Sequence, residues 1–467
     1  MRLFDFMKYE MPMWYFNLNS ELSAKNNFFV DYRSLAKNVA SLLDISEEYD
    51  SEEATLSDAA YQIIQSGLTI SLPSENIVPL ELDIEYHSGQ KGKRIKSYII
   101  GLKDNYRFIR RHFGNSHALQ ILIYRMLLLK NPVKEISGYL ASRNIKAAWN
   151  DWGKTHSLIM AAFEQFQSPL VESHPKVSVI IPTLNRYEYL KDVLKDLEAQ
   201  SYTNFEVFVV DQSDKFLPDF YKGWNLNLKV RQQKEKALWK ARNEAIKSAE
   251  GQYILLYDDD SRVDNDWIET HLKCLDFFKC DISSGVSLSK VGAAIPKEYS
   301  YFKWSAQLDT GNVMFEKSLM NATGMFDRQF EKQRMGDGEF GLRSYLNGKL
   351  NISNPKAKRI HLKVATGGLR QMGAWDAFQN MNLFGPRPIP SILYFCRKYF
   401  GKDTARNLLL TSVPFSMLPY KYKGNKKMRL LSPLIFLVLS PLVAFQVVKS
   451  WRIASQMINK GDLIGRL

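Results

Sequence analysis

Cysteine is scarce in this sequence, with three residues in a chain of 467. Cys274, Cys280 and Cys396 cannot form a disulfide framework, and their spacing matches no zinc site. We therefore expect a protein of a reducing cytoplasm. The first residues, MRLFDFMKYEMPMWYFNL, include Asp5 and Glu10 and lack a clean apolar segment with a cleavage site, so we expect no secretory signal.

Acidic residues are also in short supply. The chain has 49 Asp and Glu against 63 Lys and Arg, which gives a formal net charge of +14. Such an excess is typical of proteins that meet nucleic acid, an anionic membrane surface or anionic substrates. The excess is concentrated in residues 391–467, where thirteen Lys and Arg accompany two Asp. Because apolar runs separate these cations and no recognition motif accompanies them, we expect no nucleic-acid partner.

The hydrophobic content of 45% and the length predict a globular chain of two or three domains. From Lys176 onward, short apolar runs alternate with amphipathic stretches, as in VSVII (177–181), RYEYLKDVLKDLEAQ (186–200), EVFVV (206–210) and YILLY (253–257). This alternation predicts an α/β domain with a mainly parallel sheet. Ligands of such sheets bind beyond the carboxyl ends of the strands. The polar residues at those ends are Thr183, Asn185, Arg186, Asp211 and the triplet Asp258, Asp259 and Asp260.

The aspartate triplet directly follows the apolar run YILLY. Carboxylates this close together repel one another unless a cation shares them. Mg²⁺ and Mn²⁺ prefer oxygen ligands, and Mg²⁺ sites typically combine one or two carboxylates with substrate phosphates. We therefore predict a site for a divalent metal and a diphosphate. The alternative is an ordinary surface turn, since aspartate is common after strands.

Asp337 and His361 are further candidates. Asp337 lies between two glycines at the start of an apparent helix, in RMGDGEFGLR. There its carboxylate can act as a general base toward a hydroxyl, or it can simply cap the helix. His361 follows a predicted strand in RIHLKV, and taken alone it is as much a structural histidine as a ligand.

The order of the motifs resembles glycosyltransferase family 2. The resemblance spans about residues 175–375 and rests on the segments KVSVIIPTLNRYEYLKDVL, VFVVDQSD, ARNEAI, GQYILLYDDDSRVDNDWIE, TGNVMF, GMFD and GDGEFGLR. The family has the GT-A fold, which is Rossmann-like with a mainly parallel sheet, and transfers a sugar from a nucleotide diphosphate donor with inversion. The resemblance therefore implies an inverting glycosyltransferase that depends on Mg²⁺ or Mn²⁺.

The resemblance also implies roles for single residues. Thr183 and Arg186 would line the nucleotide pocket, Asp211 would bind the base, and Arg242 would contact the base or the diphosphate. The implied donor-binding residues are Thr183, Arg186, Asp211, Arg242, Asp258 and Asp259. The implied metal ligands are Asp260, Asp258 and His361, and the implied catalytic base is Asp337.

The sequence departs from the family pattern at three points. The glutamate that precedes the catalytic aspartate is Gly336 here, and Glu339 is the candidate that could compensate. The glycine usual five residues before the arginine of ARN is Ala237. The QxxRW motif of processive cellulose- and hyaluronan-type synthases is absent, so we do not expect a polymerase of that type.

Residues 430–448, LLSPLIFLVLSPLVAFQVV, form an uncharged run of 19 residues, close to the length that crosses a bilayer. Pro433 and Pro441 interrupt helical hydrogen bonding, and a span would place Lys449 and Arg452 outside, against the positive-inside tendency. We therefore expect a re-entrant or interfacial segment, with the cations of residues 391–467 meeting anionic lipid. A true span and a packed apolar hairpin are the alternatives.

Three regions are predicted: a mostly helical accessory region (1–174), an α/β catalytic domain (175–385) and a helical, membrane-associating region (386–467). The predicted function is transfer of a sugar to a hydroxyl of a saccharide acceptor on the cytoplasmic face of the cell membrane. By the habit of the family, that acceptor is lipid-linked and belongs to surface polysaccharide biosynthesis. One alternative is an inactive glycosyltransferase-like membrane scaffold, which Gly336 keeps open. The other is a sugar-phosphate nucleotidyltransferase, although PTLNR lacks its glycine-rich loop.

Overall fold

The structure is a computed structural model of the chain. It describes residues 4–11, 13, 37–66, 68, 100–148, 153–288, 299–305, 308–362, 364, 377–378, 382–418 and 426–467. The chain divides into two compact units, one of Met1–Ala162 with Tyr399–Leu408 and one of Phe163–Lys398 with Leu409–Leu467. The predicted accessory region, catalytic domain and membrane-associating region are defined by their functions. This functional division remains a prediction.

The first unit is helical in its described part, as predicted. Phe108 stacks on Phe4 at a centroid distance of 3.9 Å and meets the edge of Tyr61 at 5.1 Å. Arg111 Nε donates to Asp58 Oδ2 at 2.9 Å, which ties two helices together beneath these rings. The helices are α1 (Met7–Glu10), α2 (Lys37–Ala40), α3 (Glu52–Ser66), α4 (Leu102–His112), α5 (Asn115–Leu127), α6 (Pro132–Ala141) and α7 (Gly153–Gln165), the last of which continues into the second unit.

The second unit is built on one mixed sheet. The strand order is β3-β2-β1-β4-β8-β6-β9-β5, and β7 pairs with β9. The strands are β1 (Val177–Thr183), β2 (Phe205–Asp211), β3 (Leu228–Gln232), β4 (Tyr253–Tyr257), β5 (Ser261–Val263), β6 (Ile282–Leu288), β7 (Lys303–Trp304), β8 (Asn312–Glu316) and β9 (Asn351–His361).

Parallel and antiparallel pairing divide this sheet. Strands β1, β2, β3 and β4 are parallel to one another, and every residue of β1 is buried, as is usual for a strand covered on both faces. Beyond β4, β8 is antiparallel to β4 and β6, while β5 and β7 are antiparallel to β9. The prediction of a mainly parallel sheet is therefore correct for β1 to β4 and only partly correct beyond them, where β6 and β9 are parallel and the other described pairs are antiparallel. Apolar runs show where strands lie but not which way their neighbours point.

The second unit also contains ten α-helices in its described part, several of which pack on the sheet. The first of the crossover helices, α9, buries Leu190, Val193, Leu194 and Leu197, the spacing of a single helical face. The helices are α8 (Pro169–Glu172), α9 (Tyr187–Glu198), α10 (Leu238–Ser248), α11 (Trp267–Phe277), α12 (Leu319–Thr323), α13 (Gly336–Leu346), α14 (Pro390–Tyr399), α15 (Gly401–Ser412), α16 (Lys426–Val438) and α17 (Ser440–Lys460), of which α15 is shared with the first unit.

The apolar run near the carboxyl terminus forms two helices, α16 and α17. Pro433 lies inside α16 and Pro441 in the first turn of α17. In the described part of the chain, no single helix has the length and apolar composition of a membrane span. One bent pair, Leu431–Val438 with Ser440–Lys460, meets that test at an angle of 86°. Its exposed apolar side chains include Leu434, Leu437, Val438, Phe445 and Val448.

Candidate active site

The ends of β1, β2, β4 and β9 bring the predicted residues together. Thr183 and Asp211 end β1 and β2 and are paired in register. The aspartate triplet follows Tyr257, the last residue of β4. His361 ends β9 opposite Ser261, the residue after the triplet. The strand ends therefore bring these predicted residues together at one edge of the sheet, as expected for an open α/β sheet.

Two buried arginines donate hydrogen bonds to the carboxylate of Asp258. Arg242 Nη2 donates to Asp258 Oδ1 at 2.9 Å, and Arg359 Nη1 donates to Oδ2 at 2.8 Å. Burial alone would raise the pKa of Asp258, but the two guanidinium groups hold it well below its usual value. A Cβ atom on Gly311 would lie 2.1 Å from Asp258 Oδ2, so only glycine leaves room for this carboxylate.

Asp259 connects two of the predicted pocket residues. Thr183 Oγ1 donates to Asp259 Oδ2 at 2.8 Å, and Arg186 Nη1 donates to Oδ1 at 2.9 Å. Burial raises the pKa of Asp259 to about 6, although Arg186 opposes the shift. Both oxygens of this carboxylate therefore face side chains of the β1 end.

Asp260 and His361 form the third part of the cluster. His361 Nε2 lies 3.2 Å from Asp260 Oδ1, and Arg186 Nη1 lies 3.2 Å from Oδ2. Burial alone would raise the pKa of Asp260, but the hydrogen bond from His361 contributes to holding it below its usual value. Asp258, Asp260 and His361 each offer a ligand atom, and these atoms lie within 4.8 Å of one another.

Arg242, another predicted donor-binding residue, is almost fully buried. Its guanidinium donates to Thr310 Oγ1 at 2.7 Å and to the Thr310 carbonyl at 2.8 Å, besides holding Asp258. The same guanidinium lies 5.4 Å from the centre of the Trp239 ring. These contacts place Arg242 beneath the triplet, so a direct contact with a donor remains a prediction.

Asp211 lies among aromatic residues at the end of β2. Tyr187 and Tyr221 both donate their hydroxyls to Asp211 Oδ2, the latter at 2.7 Å, and the backbone N–H of Ser213 donates to Oδ1 at 2.8 Å. Burial and the bond to Asp211 raise the pKa of Tyr221. Phe216 stacks on Tyr221 at a centroid distance of 6.0 Å.

Asp337 lies in the first turn of α13. Its Oδ1 accepts a hydrogen bond from the N–H of Gly338 at 2.8 Å. The capping interpretation of Asp337 is wrong, because Met335 precedes the helix and occupies the cap position with a φ of 72°. Asp337 is half-buried, and its charge acts on Arg242 below the triplet.

Comparison with known proteins identifies the central part of the chain. The model of the family described as glycosyl transferase family 2 matches residues 178–327. This segment is a glycosyltransferase family 2 domain. It contains the triplet, Arg242 and Asp211, while Asp337 and His361 lie beyond the matched residues.

Two curated relatives show how far the similarity extends. Glycosyltransferase GlyA of Streptococcus pneumoniae is 26% identical over 200 residues, which cover 39% of this chain and 29% of that protein. Poly(ribitol-phosphate) beta-N-acetylglucosaminyltransferase TarS of Staphylococcus aureus is 30% identical over 200 residues, covering 39% of this chain and 35% of that protein. The chain thus spans about a third of the length of these relatives. The crystal structure of TarS residues 1–349 with UDP-GlcNAc aligns with 18% identity and a TM-score of 0.41, over 61% of this chain and 92% of that one.

The structure leaves no room for a side chain at Gly336, where the resemblance predicts a glutamate. A Cβ atom on Gly336 would lie 2.3 Å from Cζ2 of Trp239. The indole is fixed there because its Nε1 donates to the Phe330 carbonyl at 3.1 Å. Trp239 therefore fills the space that a side chain at position 336 would need.

Glu339 does not lie free to replace the missing glutamate. Arg343 holds its carboxylate through Nε at 2.8 Å and Nη2 at 2.9 Å. Glu339 is fully buried, so this pair belongs to the interior of the second unit. Alanine is tolerated at position 237, where the resemblance predicts a glycine. Ala237 has an extended backbone conformation, which does not require glycine.

Several residues of the site were not singled out from the sequence. Arg359 carried a detectable signal, because it lies two residues before His361 on β9 and residues two apart in a strand share a face. Tyr187 and Tyr221 carried none beyond their aromatic character. The additional residues are Arg359, Asp309, Thr310, Tyr187, Tyr221 and Trp239.

Proposed function

We propose that the protein is a metal-dependent, inverting glycosyltransferase that moves a sugar from a nucleotide diphosphate donor to a hydroxyl of a saccharide acceptor. The observation that carries the proposal is the cluster of Asp258, Asp260 and His361, whose ligand atoms lie within 4.8 Å of one another. Its two aspartates belong to the segment that matches glycosyl transferase family 2. A GT-A catalytic domain with its donor at the carboxyl ends of β1, β2 and β4 accounts for this cluster.

The donor atoms of the cluster suit a divalent cation. Carboxylate oxygens are preferred by Mg²⁺ and Mn²⁺, and the imidazole of His361 favours a transition metal, so Mn²⁺ fits the set best. Both oxygens of Asp258 accept bonds from arginines, yet each carboxylate oxygen has a second lone pair. A bound cation would offset the negative charge that grows on the departing diphosphate.

The residues around the triplet would hold the donor. Arg186 lies half-buried beside Asp259 and Asp260, where its positive charge would attract a phosphate. Thr183 fixes Asp259 at the end of β1. Asp211 with its aromatic surroundings would bind the base at the end of β2.

Asp337 would act as the general base. The acceptor O–H would pass its proton to the Asp337 carboxylate while its oxygen bonds to the anomeric carbon. The bond from that carbon to the diphosphate oxygen breaks on the opposite face, which gives inversion. Asp337 lies half-buried in the first turn of α13. General base catalysis of this kind is worth about 10²–10⁴ in rate.

The acceptor would be a lipid-linked saccharide of surface polysaccharide synthesis, reached from the cytoplasmic face of the cell membrane. The exposed apolar side chains of α16 and α17 and the thirteen cations of residues 391–467 support a re-entrant or interfacial contact with anionic lipid. The relative TarS is named for transfer to poly(ribitol phosphate), which supports a polymeric acceptor.

Calorimetry with a panel of nucleoside diphosphates and nucleotide sugars, with and without Mn²⁺, tests the donor site. We expect one metal-dependent binder, lost in Asp260→Ala and retained in Asp264→Ala, which removes an exposed aspartate just beyond β5. Retention in both variants, or no binding by the folded protein, would contradict the donor site.

Turnover tests the catalytic base separately. Asp337→Asn should lower the rate by about 10²–10⁴ and leave donor binding nearly unchanged. An inactive membrane scaffold is the second candidate, favoured by the indole of Trp239 where the family has an acidic side chain. Metal-dependent hydrolysis of the donor by the unaltered protein would exclude that scaffold.

A further inference from the structure

The solvent-facing side of α5 and α6 is apolar. Ile123 and Leu127 lie one turn apart on α5, and Val133, Ile136 and Leu140 follow at helical spacing on α6. Leu127 is exposed to 73%, and Leu129 in the connecting turn to 92%. We name this surface the hairpin face, and it consists of Ile123, Leu127, Leu129, Val133, Ile136 and Leu140, all of them exposed.

The opposite side of the two helices is already packed. Ala118 and Ile121 of α5 are buried. Tyr106 on α4 donates its hydroxyl to Glu135 Oε2 at 2.9 Å, and Arg125 Nε donates to the same atom at 2.8 Å. The hairpin face is therefore not a part of the core of the first unit.

Charges near the hairpin face have one sign. Lys130, Lys134 and Arg143 are exposed along α6 and its flanking turns. The single acidic residue between positions 115 and 148 is Glu135, which is buried and paired with Arg125. The apolar surface is thus accompanied by cations without a compensating exposed acid in this segment.

We propose that the hairpin face docks on an anionic lipid bilayer, with its aliphatic side chains among the acyl chains and its lysines at the lipid phosphates. An apolar helical face with cations beside it is typical of interfacial helices. A protein partner is less well matched, because the centres of protein interfaces are enriched in aromatic residues and the hairpin face has none. The inference uses no candidate active-site residue and is independent of the proposed transfer reaction.

A local probe on the full chain tests this contact. Because Cys274, Cys280 and Cys396 are buried, a polarity-sensitive dye can be directed to Leu127→Cys, and Leu158→Cys on α7 provides an exposed control. With phosphatidylglycerol vesicles, we expect a blue shift and quenching by brominated acyl chains at position 127 and neither effect at position 158. No shift at position 127 in vesicle-bound protein would overturn the proposal. A shift that appears without vesicles as protein concentration rises would overturn it in favour of self-association.

Charge variants test the anionic character of the surface. In the labelled Leu127→Cys protein, Lys130→Gln and Lys134→Gln should each raise the lipid concentration at half-saturation by about fivefold. Lys195→Gln, at an exposed lysine of α9, is the matched control and should change nothing. Equal binding by all variants, or equal binding to phosphatidylcholine vesicles, would overturn the assignment to anionic lipid.

Discussion

Arg359→Met removes the cation that joins Asp258 to Asp309. Arg359 Nη1 donates to Asp258 Oδ2 and to Ser261 Oγ, both at 2.8 Å, and Nη2 donates to the two oxygens of Asp309 at 2.7 and 2.9 Å. Methionine fills a similar volume but offers no charge and no donor. The variant would therefore leave two carboxylates facing each other across the end of β9.

The expected loss of stability follows from the burial of these groups. Breaking a buried ion pair by removing one partner costs about 3–5 kcal/mol. The side chains of Asp258 and Asp309 are 23% and 36% exposed, so water screens part of the loss and we expect the lower end, about 3 kcal/mol. At about 2–4 °C per kcal/mol for large domains, the Tm should fall by about 6–12 °C.

Thermal unfolding of matched variants provides the assay. Arg262→Met removes another bidentate arginine, which holds Asp196 at 2.7 and 2.6 Å but is 43% exposed. That exposed pair should contribute at most about 1 kcal/mol. If the two variants melt at the same temperature, Arg359 is not the buried link that the structure indicates, and the account of Asp258 fails with it.

Two further substitutions test local contacts. Gly336→Ala should destabilise the protein by about 1–3 kcal/mol, because its methyl group meets the Trp239 ring, and a Trp239→Leu background should remove most of that loss in a melting experiment. Asp276→Asn tests a pH effect: burial would raise the pKa of Asp276, but Lys279, Ser168 and the N–H of Leu170 hold it below its usual value. A carboxylate with a lowered pKa stabilises the fold above the unfolded pKa of about 3.9, so the difference in Tm between the two proteins should persist at neutral pH and vanish in acid. A difference that grows in acid would contradict this sign.

The parallel half of the sheet was predictable because its signals are local. YILLY coincides with β4, and EVFVV lies within β2, since a fully buried strand appears as a continuous apolar run. Strands β5 and β7 have three and two residues and depend on pairing with β9, about 100 and 50 residues further along the chain. No run of apolar residues reveals such short strands, and the apolar run of β8 does not show that it is antiparallel to β4 and β6, so the mixed character of the sheet was missed.

The candidate metal ligands were predictable because a metal site requires particular residue types, namely carboxylates and histidine. The triplet and His361 assemble as the strand ends require. The buried arginines were harder, because arginine is normally exposed and becomes buried only when paired. The Trp239 ring excludes a side chain at position 336, but the two residues are almost a hundred positions apart in the sequence. This steric relation is therefore apparent only in the structure.

The arginines beneath the triplet have a consequence for the order in which ligands arrive. Internal cations already neutralise most of the charge of the acidic cluster, so a lone Mn²⁺ ion has little net charge to attract it. A diphosphate would supply the missing negative charge, and the two ligands should then raise each other's affinity by the same factor. We expect weak Mn²⁺ binding alone and much tighter binding with a nucleoside diphosphate present, so that the resting enzyme is metal-free until its donor arrives. The acids concerned are Asp258, Asp259 and Asp260, and the arginines are Arg186, Arg242 and Arg359.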